Sequence, residues 1–346
     1  MANSFSAFNR LREDFFRYYN TPFKVRLEGM MEERTALLDK EGMTWREPWV
    51  ELIRTYKTTG QGKKQAIETA GGSEDLVELI NCGLFDETIE DIYLHQKQTL
   101  EDSLKGRNVV VSSGTGSGKT ESFLLPIFSK LLEESKNWEG SSPAGDHWWE
   151  SDNSGWVAQR EKETGRKAAI RALVMYPMNA LVEDQMVRLR IALDSEKART
   201  WMDDNRAGHR FYFGRYTSKT PVAGSSGDKR RVPALRALMR DLYSRAASAT
   251  NDEERRPYVS QFDGSEMLSR WDMQEHPPDI FISNYSMLNI MLMRKNEESF
   301  LKKTREWLEE DSSHVFHLVV DELHMYRGTM GAEVAYLIRR LFMSWV

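Results

Sequence analysis

Residues 112–121 of this 346-residue chain read SSGTGSGKTE and follow directly on the apolar, β-rich run 108–112. Gly116 and Gly118 allow the backbone to approach a phosphate group, and the successive amide N–H groups of such a turn point at the anion. Ser113 stands where the general form of this motif has its first glycine, so the match is to the part that binds the ligand. The run therefore predicts a phosphate-binding loop that follows a strand and opens a helix.

The charged end of this run supplies the chemistry of a nucleoside triphosphate site. Lys119 would neutralise charge on the β- and γ-phosphates, and the hydroxyl of Thr120 is suited to Mg²⁺. The alternative is a glycine-rich turn without a ligand, and a lysine and a hydroxyl at these two positions argue against it. We predict that the nucleotide is bound by Thr115, Gly116, Ser117, Gly118, Lys119 and Thr120.

A second motif, residues 319–324, reads VVDELH at the end of an apolar run. Asp321 is predicted to hold Mg²⁺, and Glu322 to orient and deprotonate the attacking water. His324 is placed to couple the nucleotide site to a bound strand. An Asp-Glu pair after a strand can also serve only as a favourable charge at a helix N-terminus, but the phosphate-binding loop upstream favours catalysis. The predicted catalytic residues are Lys119, Asp321, Glu322 and His324, the metal ligands Thr120 and Asp321, and the cofactors ATP and Mg²⁺.

Gln96 lies 23 residues before Lys119, in the sequence YLHQ. A glutamine amide offers one donor and one acceptor side by side, which matches the N6 and N7 edge of adenine. By itself Gln96 would be an ordinary surface glutamine. Its spacing from the phosphate-binding loop leads us to predict that it contacts the adenine base.

Four apolar runs alternate with helical segments and predict a parallel sheet that is covered by helices on both faces. Ligands of such sheets collect at the carboxyl ends of the strands, where the motifs of this chain fall. Neither of two long inserted regions, 133–166 and 195–275, has the pattern of a sheet. The predicted strands are 108–112, 171–176, 279–283 and 315–320, and the predicted helices are 121–132, 179–193, 286–294, 331–343 and, within the second insertion, 232–247.

The first 88 residues predict a mainly helical accessory region with an aromatic stripe along its first helix. The insertion 133–166 carries Trp138, Trp148, Trp149 and Trp156. Tryptophans of this kind can stack on nucleic-acid bases, but they more often fix a loop to the protein surface, which is the interpretation we favour here.

Composition excludes some classes of protein. The net charge is −5, so no global basic field indicates nucleic acid, although a local groove would not alter this sum. A single cysteine, Cys82, excludes an internal disulfide and a cysteine-rich zinc site. No apolar run approaches the roughly 18–20 residues that span a bilayer, and the N-terminus lacks a secretory signal pattern. We therefore expect a cytoplasmic protein with no membrane partner.

The ordered set of motifs resembles the first RecA-like domain of superfamily 2 DNA helicases, within the YprA/MrfA-like clade of repair and defence helicases. In that group a glutamine motif, a phosphate-binding loop with a non-glycine start and an Asp-Glu-x-His box followed by Tyr-Arg-Gly occur in this order. Here the last element is Tyr326, Arg327 and Gly328. The resemblance implies an α/β, RecA-like P-loop NTPase domain over residues 89–346, preceded by the helical region 1–88.

The resemblance also implies a set of nucleic-acid contacts at strand ends and helix N-termini, where amides, hydroxyls and an arginine suit a phosphate backbone. The family has Pro-Thr in the first of these loops, whereas this chain has Pro-Met-Asn, so that Asn179 would replace the threonine. Capping of loops is the alternative role for each residue alone. The implied contacts are Pro177, Asn179, Gln185, Gly214, Arg215, Thr217, Asn284 and Ser286.

The implied function is an ATP-dependent DNA helicase or translocase, in DNA repair or anti-phage defence, that binds single-stranded DNA loaded from a duplex. An RNA helicase and a nucleotide-gated binding scaffold without unwinding are the alternatives. In the family a second RecA-like domain supplies an arginine finger. The second domain is not found within these 346 residues, so we expect it elsewhere in the chain or in another subunit, and the isolated chain to be nearly inactive.

Overall fold

The computed structural model describes residues 4–25, 27, 29–49, 55–86, 88–114, 116–143, 145–226, 228–249, 252, 255–294 and 297–344. Contacts divide the chain into two compact units, Met1–Thr55 and Tyr56–Val346. The boundary between them therefore lies near residue 55, whereas the sequence pattern placed a change at residue 88. Among the described residues, no helix is both long enough and apolar enough to cross a bilayer.

The smaller unit contains two helices, α1 (Ser4–Asn20) and α2 (Met30–Leu38), neither of which has a buried residue. The aromatic stripe of α1 packs along its own helix, since the rings of Phe15 and Tyr19 stack with their centroids 6.1 Å apart. Arg12 forms an ion pair with Asp39 at 2.6 Å and also lies over the ring of Trp45. The helical character of this region agrees with the sequence pattern.

The larger unit is built around a four-stranded parallel sheet in the order β2-β3-β1-β4. Its strands are β1 (Ala172–Tyr176), β2 (Phe213–Tyr216), β3 (Ile280–Asn284) and β4 (His317–Val320). Its helices are α3 (Lys63–Thr69), α4 (Glu74–Asn81), α5 (Leu94–Leu104), α6 (Lys119–Ser135), α7 (Asn179–Asp194), α8 (Glu196–Asn205), α9 (Val232–Ala249), α10 (Arg270–Glu275), α11 (Tyr285–Met291), α12 (Glu298–Glu310) and α13 (Gly328–Met343).

Alternate side chains of the strands enter two separate cores, because successive residues of a strand point to opposite faces. Val174 and Ile282 pack with helices α3 to α7 on one face, while Met175 and Phe281 pack with α11, α12 and α13 on the other. The prediction of a parallel sheet covered on both faces is therefore confirmed, and with it the α/β fold expected of a RecA-like domain.

Two predictions about strands were wrong. Residues 108–112 form no strand and pair with none among the described residues, and Val110 is 81% exposed. A high β-propensity describes how well a residue fits a sheet and does not supply a neighbouring strand. Conversely, β2 lies inside the insertion 195–275, where no strand was expected. Its four residues are too few to show a pattern against the charged sequence around them.

The two insertions share a third core, in which Trp148 and Trp149 from the first pack against Leu235 and Met239 of α9 and Trp271 of α10. Trp148 and Trp149 are 6% and 5% exposed. Arg240 of α9 donates to the Trp149 carbonyl oxygen at 2.6 Å and so ties the insertions together a second time. The prediction that these tryptophans fix a loop to the protein surface is confirmed.

Candidate active site

The phosphate-binding loop precedes α6 directly, and two of its glycines have left-handed backbone angles. Gly116 has φ 72° and Gly118 φ 71°, a region that side chains other than glycine rarely adopt. A Cβ atom on Gly118 would lie 2.3 Å from Nε2 of Gln96, whereas one on Gly116 would meet open space. Gly118 is therefore required both by its backbone angle and by the close approach of Gln96.

Ser113, which replaces the first glycine of the general motif, contributes a hydrogen bond to the loop. Its Oγ lies 2.6 Å from Oγ of Ser117, on the opposite side of the turn. Ser117 is 1% exposed, so this bond lies inside the loop. The predicted contact of Thr115 with the nucleotide falls outside the described residues.

Gln96 stabilises the loop through hydrogen bonds of its side-chain amide. Its Nε2 donates to the Gly118 carbonyl oxygen at 3.1 Å, and its Oε1 accepts from the Tyr93 amide at 2.9 Å. The neighbouring His95 contacts the Ser117 carbonyl oxygen through Nε2 at 2.8 Å. A glutamine amide has two N–H groups and two lone pairs on its oxygen. The nitrogen and the oxygen of Gln96 each use one of these, so each has the capacity for one further hydrogen bond. Contact with adenine stays a prediction.

Strand β4 brings the Asp-Glu-x-His motif to the same place. The Asp321 amide donates to the Met175 carbonyl oxygen at 3.0 Å, which continues the β1–β4 ladder by one residue. Glu322 Oε1 then lies 4.0 Å from Nζ of Lys119. Two residues that are far apart in sequence thus meet at the carboxyl edge of the sheet, as predicted.

Glu322 has a strained backbone and lies beside two side chains that its carboxylate contacts. Its φ of 49° is left-handed, which costs a residue other than glycine about 1–3 kcal/mol and often marks a functional site. Its Oε2 lies 3.1 Å from Nδ1 of His324, whose side chain is 61% exposed. Glu322 is therefore held between Lys119 and His324, and His324 is the member of this group most open to solvent.

Burial is the main cause that raises the pKa of Asp321, and the nearby Glu322 carboxylate adds to it, while the Glu322 amide acts in the opposite direction. A raised pKa means that the carboxylate form is destabilised here. A cation beside Asp321 would relieve this penalty. Thr120 lines the same cavity, and one hydroxyl with one carboxylate suits Mg²⁺, which usually keeps waters and substrate phosphate oxygens as its other ligands.

The cavity at this edge has a volume of about 640 Å³, which is within the range of small-molecule sites. Besides the loop and the residues at the end of β4, its lining includes Phe85, Tyr176 and Arg188. Burial raises the pKa of the Tyr176 hydroxyl, as does the charge of Asp321, so Tyr176 stays protonated. The cavity is therefore lined by apolar side chains such as Phe85 on one part of its surface and by the polar loop and the residues after β4 on another.

Sequence reasoning missed an ion pair across this cavity, between Oε1 of Glu121 and Nη1 of Arg188 at 2.9 Å. Glu121 immediately follows Thr120 in the motif, and Arg188 lies one helical turn after Asp184, with which it also pairs at 3.1 Å. Position after the motif was the only signal for Glu121, and the sequence carried none for Arg188.

Some predicted nucleic-acid residues meet at the carboxyl ends of β1 and β3. Asn284 donates from Nδ2 to Oδ1 of Asn179 at 2.6 Å, and its own Oδ1 accepts from the Met287 amide and caps α11. Ser286 in the first turn of α11 is exposed, and Pro177 is half-buried. These four residues, from two separate segments of chain, form one accessible edge.

The other predicted nucleic-acid residues are either buried or paired with another side chain of the protein. Gln185 is 2% exposed and accepts from the Tyr176 hydroxyl at 3.0 Å, and Thr217 is 1% exposed. Gly214 faces Met273, whose Sδ would lie 2.7 Å from an added Cβ. Arg215 pairs with Glu183. In this conformation Gln185, Thr217 and Gly214 support the edge, and their contact with nucleic acid stays a prediction.

Comparison with known proteins places this geometry in a family. Residues 93–207, which include Gln96 and the phosphate-binding loop, match the DEAD/DEAH box helicase family. The chain carries a DEAD/DEAH box helicase domain. This confirms the resemblance to superfamily 2 helicases that the motifs indicated.

Relatives of this helicase domain cover most of the chain. Druantia protein DruE of Escherichia coli (strain UMEA 4076-1) is 32% identical over 376 residues, which is 96% of this chain and 19% of that protein. The ATP-dependent helicase YprA of Bacillus subtilis (strain 168) is 21% identical over 78% of this chain and 23% of its own length. The chain thus spans about a fifth of each of these relatives.

Among solved structures, a crystal structure of the helicase MrfA bound to DNA is similar to this chain. It has a TM-score of 0.44 and 19% sequence identity, and it covers 92% of this chain and 28% of MrfA.

Proposed function

We propose that this helicase domain binds ATP and hydrolyses it with Mg²⁺, as one part of a DNA helicase or translocase that acts together with a second RecA-like domain. One observation carries the proposal. Lys119 of the phosphate-binding loop and Glu322 of the second motif lie 4.0 Å apart in the lining of one cavity. A cation suited to phosphate and a carboxylate suited to activating water are therefore neighbours, so that a phosphate bound to Lys119 would lie close to Glu322.

The roles of the residues follow from their positions. The loop amides and Lys119 would hold the phosphates, and Thr120 and Asp321 would hold Mg²⁺, which supplies positive charge to the phosphate oxygens when bound. A phosphate that reaches Lys119 competes with Glu322 for the ammonium group. Loss of that ion pair leaves the Glu322 carboxylate free to orient a water and accept its proton.

The nucleic-acid partner is proposed from the edge formed by Asn179, Asn284, Ser286 and Pro177. The name of one relative supports this choice, because YprA is called an ATP-dependent helicase. We favour DNA over RNA because the second motif reads Asp-Glu-Leu-His. A role in DNA repair or anti-phage defence rests on the family resemblance.

The test is steady-state ATP hydrolysis by the full-length protein, with and without single-stranded DNA or RNA, beside Lys119→Ala and Glu322→Gln variants. We expect hydrolysis that DNA stimulates more than RNA does, and that both substitutions abolish. Stimulation by RNA alone would instead establish an RNA helicase. ATP-dependent binding of DNA without any hydrolysis would contradict the proposal and establish a nucleotide-gated scaffold.

A further inference from the structure

The segment 217–231 leaves the carboxyl end of β2 and is strongly basic. It contains Lys219, Lys229, Arg230 and Arg231 against a single acidic residue, Asp228. Lys219 and Lys229 are exposed, and the Arg230 side chain is 91% exposed. The whole chain is acidic, with a net charge of −5, so this local excess of cations stands out from the average surface.

Hydrogen bonds hold this basic segment to the protein body. The Thr220 hydroxyl donates to the Arg215 carbonyl oxygen at 2.7 Å and accepts from the Thr217 amide, which closes a tight turn after β2. The Arg270 amide donates to the Pro221 carbonyl oxygen at 3.1 Å. Trp271, which is fully buried, donates from Nε1 to the Gly224 carbonyl oxygen at 3.1 Å.

The cations at the far end of the basic segment are positioned by the same network. Arg231 donates to the Ala223 carbonyl oxygen at 2.6 Å, which ties the far end of the segment to its middle. Asp228 pairs with both Arg230 and Arg231 at about 3 Å, so one carboxylate is shared between two guanidinium groups. The first turn of α9, which follows, has no acidic residue. Positive charge at this point is therefore incompletely neutralised.

The strand order gives this segment its position relative to the proposed nucleic-acid edge. In the order β2-β3-β1-β4, the loop after β1 with Asn179 and the loop after β3 with Asn284 lie side by side, and β2 comes next. Neighbouring strands are about 4.8 Å apart, so the three loops form a short row. The basic segment leaves the end of β2, the strand at this side of the sheet, and is bonded to the start of α10.

We propose that the segment 217–231 binds the phosphate backbone of a nucleic-acid strand that extends past the helicase core, with Lys229 and Arg230 as its main contacts. This deepens the proposed function and rests on it. Cations held on an ordered surface can track a backbone without reading bases, because phosphate contacts fix position and not sequence. Contacts beyond the core would add affinity and salt dependence for long strands only.

The test measures binding of single-stranded DNA by the full-length protein over a series of salt concentrations. The variant Lys229→Gln/Arg230→Gln removes two exposed cations while leaving Arg231 and its structural bond intact. The matched control Lys167→Gln/Lys302→Gln removes two exposed cations away from the proposed edge, before β1 and on α12. Strands of about 24 and about six nucleotides separate contacts beyond the core from contacts within it.

We expect the variant to bind the long strand about tenfold more weakly, with the slope of log affinity against log salt reduced by about 1.4, since each phosphate contact to a single strand contributes about 0.7. Binding of the short strand and the control should match the unaltered protein. Unchanged affinity and slope on the long strand would overturn the proposal while leaving the proposed function in place. Failure of the unaltered protein to bind DNA would overturn the proposed function itself, and the extension with it.

Discussion

The two edges of the central sheet use charge in different ways. At the amino edge, charged groups saturate one another. Asp279, with 0% of its side chain exposed, accepts from Arg166 at 3.0 Å and from Arg171 at 2.9 Å, and also from the Tyr212 amide. Glu163 pairs with Arg166 and Arg160, and the field of these two arginines holds the pKa of Glu163 far below its usual range against the effect of burial.

At the carboxyl edge, charged and polar groups are only loosely paired. Lys119 and Glu322 are 4.0 Å apart, which is longer than a good hydrogen bond. Buried atoms without a hydrogen-bond partner among the described residues include Oε2 of Glu121, Nε2 of Gln185 and the Tyr326 hydroxyl. At the amino edge, Nδ1 of His209 also lacks a hydrogen bond, but it lies 3.9 Å from the carboxylate of Glu163.

This difference indicates that the amino edge contributes stability and the carboxyl edge retains groups for a ligand. Unsatisfied buried groups cost free energy, so they persist where binding can satisfy them. Four substitutions test this difference between the edges, and each should affect one edge and not the other.

The largest effect is expected at the carboxyl edge. Glu322→Gln removes the proposed base and should lower DNA-stimulated ATP hydrolysis by about 10²- to 10⁴-fold, the usual contribution of general-base catalysis. Affinity for ATP and the free energy of unfolding should change little. The matched control is Glu101→Gln on α5, whose carboxylate forms an exposed ion pair with Lys105. Retention of more than about a tenth of the activity would contradict the assignment.

Next is the amino edge, where Asp279→Asn leaves Arg166 and Arg171 buried with too little negative charge. Breaking a buried ion pair in this way costs about 3–5 kcal/mol, which urea denaturation would measure. Lys167→Gln, which removes an exposed ion pair with Glu310, should cost less than about 1 kcal/mol. If Asp279→Asn instead lowered hydrolysis without lowering stability, the comparison between the edges would fail.

A pH titration tests the first residue of β4. Burial, with the charge of Lys130 as a second cause, lowers the pKa of His317 to about 4. The unfolded chain therefore takes up a proton at His317 below about pH 6.5, while the folded protein does not. Stability should fall as pH drops from about 6.5 to 4, by on the order of 3 kcal/mol. His317→Gln should flatten this part of the stability profile, and an unchanged profile would contradict the assignment.

The smallest effect is expected within the phosphate-binding loop. Gly118→Ala combines a left-handed backbone, which costs about 1–2 kcal/mol, with a clash against Gln96. Gly116→Ala carries only the backbone cost. We expect calorimetric affinity for an ATP analogue to fall about tenfold more in Gly118→Ala than in Gly116→Ala, a difference of about 1.4 kcal/mol. Equal losses of affinity in the two variants would mean that the contact of Gln96 with Gly118 does not stabilise the loop.

Sequence patterns were most reliable where local chemistry decides the outcome. The loop at 112–121 was correctly placed before a helix, and three of the four predicted strands form, with ends within two residues of those predicted. Their continuous apolar runs reflect burial on both faces. The meeting of Lys119 with Asp321 and Glu322 also followed, because carboxyl ends of parallel strands share one edge.

The features that sequence reasoning missed depend on contacts between distant segments. Nothing local distinguishes Arg188 from other helix arginines, yet it pairs with Glu121 beside the loop. Nothing local indicates that Arg166 and Arg171, which are close in sequence, both reach Asp279. The failed strand at 108–112 belongs here too, since a strand needs a neighbour to pair with.

Residue type and spacing along the chain are enough to predict a phosphate-binding loop, a carboxylate pair and the alternation of apolar runs with helices. Which polar groups find hydrogen-bond or ion-pair partners, and which stay available to a ligand, depends on the folded arrangement. Long-range pairing neutralises the amino edge, leaves the carboxyl edge partly unsatisfied and sets the basic segment beside β2. Burial and pairing depend on neighbours in three dimensions, which a linear pattern of residues does not record.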